Sequence, residues 1–150
     1  MKLTRYFFSL ILFLALATIT QLQAQSAKEL LTRKWKFDVE ALMELLPEAQ
    51  KEEMKKAPPE QVAMFKQMMA QSYFHFKSDG TVEMKIPVPG MDVETMKWQL
   101  TNVGKTLITI EESGKVNRGR IIELTSKKLI IEPENNEGKK ERMVFIPFED

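Results

Sequence analysis

The chain has 150 residues, with 22 lysines and arginines against 21 aspartates and glutamates, a single histidine and no cysteine. So even a charge balance argues against nucleic acid and against an anionic membrane surface, both of which favour a strong basic excess. The lack of cysteine excludes disulfide staples, a lipid-bearing thiol and a cysteine nucleophile, so a single hydrophobic core must supply the stability.

In chain order, Lys2 and Arg5 precede an apolar run from Tyr6 to Ala17 and a polar stretch that ends near Ala24. This is the layout of a secretory signal peptide. The run is shorter than the roughly 20 apolar residues a membrane helix needs, so it is expected to be removed and not to anchor the protein. Cleavage near Ala24 leaves a small residue at the cut but Leu22 two positions before it, whereas Ala15-Leu16-Ala17 fits the small-residue rule and cuts into the apolar run. Removing residues 1–24 takes away Lys2 and Arg5 and leaves 20 basic residues against 21 acidic ones. The expected product, residues 25–150, is one domain exported to the periplasm or beyond the cell, with no stable membrane anchor.

Lys28 to Leu31 lead into Trp35-Lys36-Phe37, whose aromatics at a spacing of two predict a strand with one buried face. From Val39 to Gln71 the period becomes helical. Leu42, Met43, Leu45 and Leu46 form one short apolar face, and Pro47-Glu48 suits a helix start. Lys51 to Lys56 is almost wholly charged, and Pro58-Pro59-Glu60 ends one helix and opens another. In that last helix Val62, Met64, Phe65, Met68 and Met69 make a wide apolar stripe. Residues 39–71 are therefore a helical insertion of two or three short helices.

From Tyr73 onward alternation dominates. Phe74 and Phe76 face one way, and Tyr73, His75 and Lys77 the other. Asp79-Gly80 favours a tight hairpin, after which Val82, Met84 and Ile86 resume the period of two until Pro87, Pro89 and Gly90 break it. Further strands are expected at 95–100, 106–111, 118–124, 128–132 and 141–147, joined by short polar turns. Short connections make neighbouring strands antiparallel. The fold class expected is mainly β: a small antiparallel up-and-down barrel, which leaves no exposed sheet edge.

Several of these residues occur in a known order. Trp35 in the first strand, Phe76 to Thr81 at the hairpin, Met96 to Leu100 around Trp98, Lys105 to Ile110, and Ile121 to Leu129 together resemble the lipocalin-like domains of secreted proteins from Bacteroidetes-type bacteria. The likeness spans Leu30 to Phe148 apart from the insertion. It departs from the lipocalin pattern at Arg33, where Gly-x-Trp is usual, and in having no disulfide. What it implies is a fold much more than a chemistry.

No catalytic or metal motif accompanies these elements, and no cofactor is expected. No Gly-x-Ser-x-Gly turn, His-Glu-x-x-His pair or phosphate-binding glycine loop is present. His75, by its alternation, belongs to the outer face of a strand. Glu83 or Glu123 would need a second carboxylate converging in a cleft to act as a catalyst. The acidic stretch Glu132, Glu134, Asn135, Asn136 and Glu137 lacks the ligand spacing and turn glycine of a calcium loop. Arg118, Arg120, Lys127 and Lys128 read as solubility and edge-protection charges.

The Met-rich stripe must cover something, and an open barrel end is the evident place for it. Its residues either fill the space between insertion and barrel or line a pocket. In the second case Met64, Phe65 and Met68 join Trp35, Phe74, Phe76 and Trp98 around a small hydrophobic ligand, with the insertion as a lid. The expected function is thus a non-catalytic carrier or sensor of such a ligand. The alternative is a cell-envelope structural or protein-interaction module with a filled barrel.

Overall fold

Inward-pointing apolar residues at every second position leave each strand one face to bury, and eight such strands bury theirs together by closing on themselves. The computed structural model describes residues 26–88, 90–134 and 142–149. The expected signal segment, Pro89, the loop residues Asn135 to Glu137 and the strand start at Glu141 lie outside the described residues. The strands are β1 (Lys34–Phe37), β2 (Tyr73–Phe76), β3 (Thr81–Lys85), β4 (Glu94–Thr101), β5 (Thr106–Ile110), β6 (Val116–Leu124), β7 (Leu129–Pro133) and β8 (Met143–Pro147). Each pairs antiparallel with the next, and β8 returns to β1, closing an up-and-down barrel.

Register fixes which side chains face inward. Trp35 is opposite Phe74, Phe76 opposite Val82, Val82 opposite Met96, and Leu129 opposite Phe145. All of these except Phe74, with Leu31, Trp98, Leu107 and Ile131, belong to the buried core, and half-buried Phe74 packs against it. The opposite face is wet: Lys34, Lys36 and Phe148 gather around Tyr73, with the Lys34 ammonium 5.8 Å from both the Tyr73 and Phe148 ring centres. A bulge in β6 between Ile121 and Glu123 leaves Ile122 out of register and adds the local bend that closure requires.

The two barrel ends differ. At one, tight turns join β2 to β3, β4 to β5 and β6 to β7. In the first of these, Lys77 N–H donates to Thr81 O at 2.8 Å, Gly80 takes φ +88°, and the Asp79 carboxylate accepts from the Thr81 N–H and hydroxyl. This is the three-residue hairpin that glycine in the left-handed region permits. The same end is stoppered by a feature that alternation did not predict: residues 26–31 are helical (α1). Leu31 is fully buried, and its carbonyl accepts the indole N–H of Trp35 at 3.0 Å. Arg33 lies over the Trp35 ring and donates to Ser126 O, tying α1 to the β6–β7 turn.

At the other end β1 runs into the insertion, which forms three helices: α2 (Val39–Leu45), α3 (Glu48–Lys56) and α4 (Pro59–Gln71). Asp38 caps α2 by accepting the Ala41 N–H at 3.1 Å. Pairs Glu48–Lys51 and Glu52–Lys55 run along α3, and Pro59 opens α4. Ser72, itself buried, ends α4 by donating its hydroxyl to Met68 O. None of the residues of α2, α3 or α4 is buried. Of these helices, α4 lies against β1, and α2 against β8 and α4. The rings of Phe37, Phe74 and Phe145, with centres 4.8 to 5.7 Å apart, already fill that side of the barrel. The Met-rich stripe therefore meets only the rim. No helix among the described residues is long and apolar enough to cross a membrane.

Candidate functional site: an apolar cavity in the barrel

The inner faces of the strands do not close completely on one another. A cavity of about 150 Å³ remains, bounded by Trp35, Phe74 and Phe76 from the first hairpin, Val82 and Met96 next to it, and Leu107, Leu129, Ile131 and Phe145 across the barrel. Its lining runs from fully buried Trp35 to exposed Asn117 at the start of β6. Thr109 and Asn117, paired across β5–β6, are the polar side chains on the inner face at that opening, whereas Arg118, also part of its lining, alternates onto the outer face of β6. Asn117 donates to Glu111 at 2.9 Å and, with Lys115, holds the Glu111 carboxyl below the ordinary range. The deeper walls are aliphatic, aromatic and thioether.

Gly119 shapes one wall. A Cβ on this residue would fall 2.5 Å from Cγ2 of Ile131, closer than any real side-chain contact. Glycine in a strand interior, away from any turn, marks such a close approach. Here it leaves, on the inner face of the barrel, the space that the Ile131 Cγ2 methyl occupies.

The residues expected to line a ligand pocket fall in three places. Trp35, Phe74 and Phe76 line the cavity. Trp98 stands behind Phe76, edge-to-face at 5.5 Å, with its indole N–H donated to Lys77 O at 3.1 Å. Met64, Phe65 and Met68 line a separate surface hollow between α4 and Pro87-Val88. So the insertion and the barrel interior do not share one pocket. Leu107, Gly119, Leu129, Ile131 and Phe145 were missed, although the strands carrying them were foreseen. Continuing the in-and-out alternation through those strands would have identified all of them but Gly119.

Comparison of the chain with protein-family models, curated proteins and solved structures finds no match.

The outer surface holds the charged groups. His75 Nδ1 lies 3.7 Å from Glu83, whose carboxylate also takes the Lys77 ammonium. That hydrogen bond lowers the Glu83 carboxyl and raises Lys77. Glu132 is held below the usual carboxylate range by hydrogen bonds from Arg120 first and from Arg142, after some opposition from burial. Glu83 and Glu123 lie on strands separated by β4 and β5. Among the described residues no group of three His, Asp or Glu is placed to hold a metal ion.

Proposed function

We propose that this protein is an exported, non-catalytic carrier or sensor that holds a small apolar molecule inside a lipocalin-like barrel. The observation that carries this reading is the apolar cavity bounded by Trp35, Phe74 and Phe76 and reaching the surface at Asn117. An interior built only for stability gains from filling such a space, because every missing contact costs dispersion energy. Export is supported by Lys2, Arg5 and the apolar run behind them. Lack of catalysis is supported by the outward, mutually paired positions of His75, Lys77 and Glu83.

Native mass spectrometry of protein isolated from exporting cells, followed by organic extraction, tests the proposal. A stoichiometric apolar adduct is expected, and Thr109→Phe, which narrows the opening, should remove it while the far-ultraviolet circular dichroism is unchanged. A clean apo mass that does not change when the cell extract is added back would overturn the carrier reading. A second reading, a docking module for an envelope protein, is favoured by Leu45, Met64, Met91, Val93 and Val116, exposed apolar residues that all belong to the helical end. A pull-down that depends on Met64 and Met91 while the extract yields no adduct would decide for it.

A further inference from the structure

We infer that the occupant of the cavity is a compact, neutral, single-ring molecule and not a long acyl chain, and that Gly119 and Ile131 set this size limit. This rests on the carrier reading. The first ground is volume. At about 150 Å³ the cavity is as large as apolar voids that accept benzene. It is well below the roughly 300–1,000 Å³ of sites that enclose larger ligands. The second is shape. Leu31 and Trp98 stopper the far end, so a chain cannot thread through the barrel. Ile131 against Gly119 bounds it on the β6–β7 side.

The third ground is polarity. Burying a charged group requires a partner, and the inner walls offer none. The one charged residue of the lining, Arg118, alternates with Asn117 and Gly119 and so belongs to the outer face of β6, and Arg120 and Arg142 on the barrel exterior are already held by Glu132. A carboxylate or ammonium in the cavity would therefore be unpaired. Thr109 and Asn117 supply polar groups only at the opening, where one hydroxyl or carbonyl of a ligand can sit. The fourth is the character of the walls. Trp35, Phe74, Phe76 and Phe145 offer ring faces and edges, and Met96 and Met143 add thioethers, which adapt their shape and contact aromatic edges favourably.

The test uses the purified full-chain protein and five probes, toluene, p-cresol, n-butylbenzene, benzoate and dodecanol, with binding read from Trp fluorescence and ligand-observed NMR. Toluene and p-cresol are expected to bind one site, with benzoate at least about tenfold weaker than p-cresol. Dodecanol is expected not to bind. Gly119→Ala should abolish toluene binding by driving the Ile131 methyl into the cavity, and adding Ile131→Ala should restore it. Ile131→Ala alone, which removes three carbon atoms, should admit n-butylbenzene, a ring three carbons larger than toluene that the unaltered protein rejects, with the near-ultraviolet signal of the tryptophans unchanged. Dodecanol binding to the unaltered protein overturns the size limit while leaving the carrier reading intact. Benzoate binding as well as p-cresol overturns neutrality. If no probe binds and the cell extract yields no adduct, both readings fall; an adduct that is a large molecule overturns the inference alone.

Discussion

Val103 is where the backbone conflicts most plainly with its side chain. In the β4–β5 turn, Asn102, Val103 and Gly104 all take positive φ, at 51°, 54° and 79°. Asparagine and glycine tolerate this region, but a β-branched residue does not, because its Cβ crowds the following carbonyl. Val103 is also substantially exposed, so little packing is lost on replacing it. Val103→Asn is expected to stabilise the protein by about 0.5–1 kcal/mol, read as a higher urea midpoint with unchanged slope. Glu132 illustrates the opposite case, a side chain matched to its neighbours. Its carboxyl is lowered from 4.5 by Arg120 and Arg142. A group with a depressed folded pKa contributes stability that is present above its unfolded value and lost as pH falls through the folded one. Glu132→Gln should therefore lower the urea midpoint at neutral pH, and the two midpoints should converge as the pH falls below the ordinary carboxyl value of 4.5 and through the lower value of the folded state.

At the scale of elements, the insertion and the barrel separate cleanly. Lys36 pairs with Tyr73, so the strands on either side of the insertion are already hydrogen-bonded neighbours. With no buried residue in α2, α3 or α4, the insertion contributes little to the core. Replacing residues 39–71 with a short Asn-Gly turn should leave a cooperative barrel, with the near-ultraviolet signal of the buried tryptophans retained; loss of that signal would show the helices to be part of the core. Strands and helices were legible because alternation and 3.6-residue periodicity are written directly in side-chain polarity. The outer face of His75 and the hairpin at Asp79-Gly80 followed from the same pattern. What the pattern could not give was partnership. A wide apolar stripe on α4 says that a surface prefers cover, but not whether the barrel beneath has room for it. Nor does periodicity reveal a stopper such as Leu31, whose single buried side chain lies on a short helix before the first strand. The cavity was half legible: its first-hairpin aromatics stood out by size, whereas Gly119 matters through the absence of a side chain.

For the whole molecule, the barrel gives an interior of modest size, sealed at one end by α1 and reaching solvent at the other beside β5 and β6. The elements that make this interior come from the full length of the described chain. The closing seam joins Trp35 to Pro147, and Phe148 N–H donates to Lys34 O at 3.0 Å. This seam dictates the order in which the protein can become itself. Hairpins from β2 to β7 can form from local pairings as they emerge, but the first strand waits for the last, because joining such distant segments costs the most loop-closure entropy. Until β8 is available, β1 is an open edge and Trp35 has no enclosed site. The chain is thus obliged to stay unsealed throughout its synthesis and any passage through a pore, and to complete itself in a single late step.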